Sequence, residues 1–275
     1  MNIDTVFIPC AGFGKRMGRA GEVIPKPLWT VGDFTLLEYK IFQLEKLGFH
    51  KFIVNTHHQY KRVEEFVKSS NKDIIISYEP EILGNGGSFH KIKKDYHQIK
   101  KVLVTNPDTF FFLTEKDWKS FLGLADKMNN VLVAVPCKQD DSYNRLVTNG
   151  VKLERIEKYK EGNVSSNITY SGIGIVDLRS FDCQKGHSSF FESVIIPSQN
   201  DTLVFKPSNG FEFYDFGTLE NYKNMCVSLE GKSGTKIENL VKDFYSKRGI
   251  GINSTSFKRG FILDNYGSKG KIKID

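Results

Sequence analysis

The chain has 275 residues, 39% of them hydrophobic and 26% charged, with a formal net charge of +7 at pH 7. That is the composition of an ordinary globular protein, long enough for one large α/β domain or a domain with a small appendage. No apolar run reaches membrane-spanning length, no secretory leader is expected, and the lysines are spread among acidic residues without a dense basic run, which argues against a membrane span and a nucleic-acid partner. The positive balance reads mainly as solubility, with attraction of anionic substrates as the alternative. Cys10, Cys137, Cys183 and Cys226 are scattered without a CxxC pair. Neither a zinc site nor a disulfide framework is expected, and a reducing cytoplasm fits best.

In chain order, an apolar strand at Thr5–Pro9 runs into Cys10-Ala11-Gly12-Phe13-Gly14-Lys15-Arg16-Met17-Gly18. Gly12 and Gly14 permit a tight turn with few side chains, and its backbone N–H groups can form a nest for phosphate oxygens. Lys15 and Arg16 add fixed positive charge at the rim. Lys26 adds a third cation from Pro25-Lys26-Pro27-Leu28, a segment stiffened by two prolines. The spacing matches neither a Walker A loop, where Arg16 stands in place of Ser or Thr, nor the dinucleotide fingerprint, whose third glycine would fall at Met17.

Leu36, Leu37, Ile41, Leu44 and Leu47 then recur at helical spacing, predicting a helix over Leu36–Leu47 with Gly48 as its stop. Further strands are expected at Lys51–Asn55, Ile74–Tyr78, Val102–Asn106 and Val131–Val135, and helices at Tyr60–Ser69, Gly87–Tyr96 and Glu115–Met128. This alternation predicts a Rossmann-like α/β fold, a mostly parallel mixed sheet with helices on both faces and ligands beyond the carboxyl ends of its strands. After Asp140 strands dominate, at Asn144–Thr148, Val151–Lys158, Ile168–Val176, Thr202–Lys206 and Glu212–Phe216. Short helices are expected at Ser188–Ile195 and Leu219–Leu229. No Pro/Ser/Gly-rich linker intervenes, so residues 1–232 read as one domain with halves at 1–140 and 141–232. Residues 233–275 read as a helix, Lys236–Ser246, and a tail.

Asp108 ends the apolar strand in Asn106-Pro107-Asp108, and Asp215 stands in a strand–acid–glycine turn, Phe213-Tyr214-Asp215-Phe216-Gly217-Thr218. Each is a carboxylate suited to Mg²⁺ or, equally, a cap for the next element. In Leu83-Gly84-Asn85-Gly86-Gly87-Ser88 the glycines allow close backbone approach to a flat ligand, with Ser88 as a helix start. His57 and His58 have no ligand partner at metal spacing and read as structural, with Asn55 able to reach the ligand side. Phe110, Phe111 and Phe112 read as core.

Ala11-Gly12-Phe13-Gly14-Lys15-Arg16-Met17 with Pro25-Lys26-Pro27-Leu28 resembles the signature of the sugar-phosphate nucleotidyltransferases, the nucleoside-diphosphate-sugar pyrophosphorylases. The resemblance runs from about Ile3 to Tyr222. Asn55-Thr56-His57-His58 and the Gly-Gly near Gly86 are most similar to the short N-acetylmuramate 1-phosphate uridylyltransferases. Heptose 1-phosphate guanylyltransferases are also similar.

The resemblance implies a GT-A-like fold whose first half binds an NTP and whose second half binds a sugar 1-phosphate, releasing pyrophosphate in an EC 2.7.7 reaction. It implies catalytic roles for Arg16, at the leaving phosphates, and for Lys26, between the two substrates. It assigns Ala11, Gly12, Gly14, Lys15, Arg16, Asn85, Gly86 and Gly87 to the nucleotide, and Asn106, Glu157, Lys158 and Gly172 to the sugar phosphate. It further assigns Asp108 and Asp215 to Mg²⁺. Pro107 replaces the glycine common in the family's Asn-Gly-Asp, and Tyr159 stands where proline is common after Glu157-Lys158. Base, sugar and oligomeric state are left open, a homo-oligomer included. The rival readings are a silent nucleotide-sugar-binding regulatory paralogue and a cytidylyltransferase for a non-sugar phosphate such as phosphocholine.

Overall fold

The computed structural model describes residues 3–14, 19–138, 141, 143–158, 166–229, 234–252, 261–263 and 271–273. In chain order its first half holds β1 (Thr5–Pro9), α1 (Arg19–Val23), the short pair β2 (Thr30–Val31) and β3 (Phe34–Thr35), α2 (Leu36–Lys46), β4 (Lys51–Thr56), α3 (Tyr60–Ser70), β5 (Asp73–Tyr78), α4 (Gly84–Asp95), β6 (Lys101–Thr105), β7 (Thr109–Phe112) and α5 (Glu115–Ala125). There follow β8 (Asn130–Pro136), β9 (Arg145–Asn149), β10 (Lys152–Glu157), β11 (Ile168–Asp177), β12 (Thr202–Phe205), β13 (Glu212–Asp215), α6 (Leu219–Ser228), α7 (Lys236–Lys247), β14 (Phe261–Leu263) and β15 (Lys271–Lys273).

Among the described residues, nine strands form a mixed sheet in the order β5-β4-β1-β6-β11-β8-β12-β10-β9. Parallel pairing joins β1 to β6, β4 to β5 and β8 to β12. β11 runs antiparallel to both β6 and β8. Thr5 to Ile8 are all buried, the expected signature of a strand covered on both faces.

The chain divides into two compact units. The first comprises Met1–Phe7, Glu81–Thr105 and Leu113–Phe211, and its core is the apolar run of β6, β8, β11 and β12. Here α4 begins three residues earlier than the spacing suggests. Gly84, Asn85, Gly86 and Gly87 form its first turn, and Ser88 lies inside the helix rather than at its start, its hydroxyl donating to the Gly84 carbonyl (2.9 Å). The expected helix at Ser188–Ile195 is a π-helical turn, Phe191–Ile195.

The second unit comprises Ile8–Pro80, Asn106–Phe112 and Glu212–Asp275. α2 starts on a capping box: Thr35 accepts the Glu38 N–H, and Glu38 accepts the Thr35 N–H. Leu36, Leu37, Ile41 and Leu44 are buried as their spacing predicts. The helix stops where Gly48 takes φ +92°, a backbone conformation glycine adopts without strain. α7 lays Phe244 against Phe34, Tyr39 and Phe42. Strand β7 was not expected. Thr109–Phe112 pairs antiparallel with β13, so the three phenylalanines are strand residues, and Phe110 and Phe111 are buried.

Candidate active site

The turn after β1 is held from β4. Asn55 Oδ1 accepts the N–H groups of Cys10 (2.6 Å) and Ala11 (3.3 Å). Its amide nitrogen donates to Glu79 Oε1 (2.8 Å). Asn55 and Glu79 are buried, whereas Gly12 is exposed and Gly14 half-buried. Gly14 takes φ +64°, which any other residue would adopt only under strain. A Cβ on Gly12 would meet nothing within 4 Å, so the space beside it is open. Lys15 and Arg16 lie outside the described residues.

Lys26 opens a single 3₁₀ turn, Lys26–Leu28, entered from Pro25 and buried throughout. Its ammonium forms an ion pair with Asp108. The side chains are 11% and 15% exposed, so neither charge is well hydrated and each depends on the other. Asp108 sits in a turn closed by the Thr109 N–H donating to the Asn106 carbonyl (3.5 Å). Pro107 occupies the second position of that turn, where its fixed φ suits the geometry and no N–H is needed. The substitution of proline for the family's glycine is thus accommodated locally.

Asp215 ends β13 directly across the ladder from Thr109, the neighbour of Asp108. The Phe216 N–H donates to the Asp108 carbonyl (2.8 Å), closing the register. Asp215 Oδ1 accepts the Gly217 N–H (2.7 Å). A Cβ on Gly217 would lie 2.6 Å from that oxygen, so only glycine leaves the carboxylate where it is. Two acids far apart in sequence thereby lie at the same end of the β7–β13 ladder, Asp108 just before β7 and Asp215 at the end of β13. Thr218 caps α6 through the Asn221 N–H (3.1 Å), leaving Asp215 out of the capping role.

Burial and the negative charge of Asp108 push the Cys10 thiol well above its ordinary range, which ties the turn after β1 electrostatically to the acid. Lys40, on α2, is fully buried. Its ammonium lies 4.6 Å and 5.0 Å from the Phe110 and Phe111 ring centroids and donates to Gln43 Oε1 (2.9 Å). Gln43 Nε2 in turn donates to the Phe111 carbonyl (2.7 Å), so α2 grips the strand that follows Asp108. Burial brings Lys40 down to about 7, with Asp108 pulling the other way. Sequence reasoning missed Lys40 and Gln43. The available signal was a lysine three residues after Leu37 on a helix face otherwise read as apolar.

Asn85, Gly86, Gly87, Glu157, Lys158 and Gly172 belong to the other unit. The Cβ direction of Gly86 points within 2.5 Å of the Ser189 carbonyl and that of Gly87 within 2.6 Å of the Gly186 carbonyl. Close packing of α4 on the Gly186–Ser193 segment therefore accounts for both glycines, and Asn85 shares that first turn. Glu157, at the end of β10, accepts from Arg155 (2.7 Å). Lys158 pairs with Glu192 in solvent (2.7 Å). Gly172 takes φ +81° where the β11–β8 register shifts. His57 and His58 donate to the carbonyls of Glu79 and Glu22 (2.8 Å each), which are structural roles.

Residues 6–169 match the MobA-like NTP transferase domain. The chain belongs to that family. It is 25% identical over 232 residues to the D-glycero-α-D-manno-heptose 1-phosphate guanylyltransferase of Aneurinibacillus thermoaerophilus, spanning 80% of this chain and 95% of that one. It is 25% identical over 185 residues to the N-acetylmuramate α-1-phosphate uridylyltransferase of Neisseria meningitidis serogroup B, spanning 64% and 76%. The crystal structure of HddC from Yersinia pseudotuberculosis complexed with GMP-PN shares the fold with a TM-score of 0.67 at 22% identity, over 82% of this chain and 99% of HddC. The inositol-1-phosphate CTP transferase from T. maritima does so with a TM-score of 0.64 at 17% identity, over 92% and 99%. A GT-A-like fold is thereby established for this MobA-like NTP transferase domain, and among its described residues no helix is long and apolar enough to cross a membrane.

Proposed function

We propose that this NTP transferase joins an NTP to a sugar 1-phosphate, giving a nucleoside-diphosphate sugar and pyrophosphate. The observation that carries the reading is the Lys26–Asp108 ion pair, with Asp215 opposite Thr109 on the paired strand and a glycine turn whose first amides are fixed by Asn55. An oxygen of the sugar phosphate attacks the α-phosphorus, the bond to the bridging oxygen breaks, and pyrophosphate leaves with that electron pair. The nucleophile is already ionised at neutral pH, so the protein's task is positioning and charge neutralisation.

In this reading Ala11, Gly12 and Gly14 supply the phosphate turn, with Lys15 and Arg16 at its rim. Lys26 leaves Asp108 for the phosphates and neutralises charge between the two substrates. Asn85, Gly86 and Gly87 serve the nucleoside, and Asn106, Glu157, Lys158 and Gly172 the sugar phosphate. Asp108 and Asp215 are hard oxygen donors, and Asp108 already holds one cation, the Lys26 ammonium, so the pair fits Mg²⁺. Bound there, the ion would offset triphosphate charge. The heptose and muramate relatives nominate GTP or UTP with a hexose- or heptose-derived 1-phosphate. A cytoplasmic setting suits four cysteines that form no disulfide.

The test is pyrophosphate release from each of the four NTPs with a panel of sugar 1-phosphates and Mg²⁺, with the sugar conjugate identified by mass. Release with one pair supports the reading. No release from any pair, alongside tight binding of a finished nucleotide sugar, favours the regulatory alternative. Release with phosphocholine instead favours the non-sugar alternative.

A further inference from the structure

Glu79 is wholly buried at the end of β5 and belongs to none of the groups assigned above. It reaches the turn after β1 by two routes. Its Oε1 accepts the Asn55 amide N–H (2.8 Å), and Asn55 Oδ1 accepts the Cys10 and Ala11 N–H groups. Its backbone carbonyl accepts the His57 Nδ1–H (2.8 Å), and the His57 ring packs edge-on against Phe13 at 5.4 Å. Both ends of Cys10–Phe13 thus trace back to one residue. The Glu79 N–H donates to the Thr56 carbonyl (2.8 Å), which fixes the distance between the two strands that carry the relay.

The polarity of the chain of bonds is forced. Backbone N–H groups only donate, so the Asn55 atom facing Cys10 and Ala11 is its oxygen. The amide nitrogen must then face Glu79, and a carboxylate only accepts. We infer that Glu79 is a positioning residue for the phosphate turn: by holding the Asn55 amide in one orientation it fixes Cys10 and Ala11 and aims the following amides at the NTP. The inference rests on the nucleotidyltransferase reading for its kinetic consequence but not for its structural one.

Asn55→Asp, made alone, sets two carboxylates against each other. Combined with Glu79→Gln it restores the bonding with the roles of the two side chains exchanged, since the new carboxylate accepts from Cys10, Ala11 and the new amide. N55D is expected to raise the KM for NTP roughly ten- to a hundredfold, the consequence of breaking a buried pairing. The KM for sugar 1-phosphate should stay within about twofold, and N55D/E79Q should recover to within about threefold of the parent.

Hydrogen exchange of the peptide covering residues 8–14 reads the same relay without turnover: faster in N55D, restored in N55D/E79Q. If the double variant is no better than N55D in exchange, the relay is wrong. If N55D raises both KM values alike, positioning of the NTP turn is wrong. If the parent protein turns over no NTP while exchange follows the expected pattern, the functional reading fails and the relay stands.

Discussion

The Lys26 ammonium pairs with the Asp108 carboxylate, and each side chain is more than four-fifths buried. Such a pair is costly to halve, because the surviving charge is left with little water. Asp108→Asn or Lys26→Met should each lower stability by roughly 1–3 kcal/mol in urea unfolding, and K26M/D108N should recover most of that loss. Turnover should fall about a hundredfold or more in each single variant and stay low in the double, because the proposed reaction uses Lys26 itself to neutralise charge at the phosphates. Recovery of activity in the double variant would show that the pair is structural only.

Asp215 lends itself to a test that separates metal binding from folding. Its Oδ1 accepts the Gly217 N–H, and an asparagine oxygen can do the same, so Asp215→Asn should unfold near the parent's urea midpoint. The expected change is in the Mg²⁺ concentration for half-maximal turnover, higher by about tenfold or more, with chelator abolishing activity in the parent. Gly217→Ala should act through the same carboxylate, since the added methyl would occupy the position 2.6 Å from Oδ1 and displace it. A D215N variant with parental Mg²⁺ dependence would remove Asp215 from the metal site.

Lys40 gives the pH dependence. Burial lowers it from 10.5 to about 7, so between those values the unfolded chain holds a proton that the folded chain does not. Unfolding then takes up a proton, and stability rises with pH across that window. Below about 7 both states are protonated and the slope disappears. The single group contributes at most about 1.4 kcal/mol per pH unit. Lys40→Met keeps the volume, removes the charge and should flatten the rise. Urea midpoints of parent and K40M at about pH 7 and about pH 9 measure the difference. Equal slopes in the two proteins would mean that Lys40 does not titrate in this range.

The sequence was most legible where local pattern and tertiary structure agree. β1 falls at its expected bounds, and α2 starts at Leu36 and stops at Gly48, because apolar spacing and a positive-φ glycine are local signals. Gly84–Gly87 misled for a physical reason. Glycine costs about 1 kcal/mol in a helix interior, so the spacing starts the helix only at Gly87, three residues late. Packing against the Gly186–Ser193 segment, where a Cβ on Gly86 or Gly87 would clash, overrides that cost. The meeting of Asp108 and Asp215 was written nowhere locally. It depends on β7, whose aromatic run Phe110–Phe112 has no polar alternation to mark it as a strand, pairing with β13 from the far end of the chain.

α7 supplies the last prediction. Phe244 is 5% exposed, with ring centroids 4.9 Å from Phe34, 4.8 Å from Tyr39 and 5.1 Å from Phe42. The Arg248 guanidinium lies 4.6 Å from the Phe244 ring and 3.4 Å from Glu38, the residue that closes the capping box of α2. Truncating the ring therefore removes a core side chain and the surface on which Arg248 rests. Phe244→Ala should cost about 3–5 kcal/mol and Phe244→Leu about 1–2, read from urea unfolding. None of these rings belongs to a site residue, so both variants should keep parental KM values at temperatures where they remain folded. A fall in kcat of the folded F244L protein would instead mean that α7 acts on β7 through α2, by way of Lys40 and Gln43. The K40M/F244L double variant would then show non-additive losses.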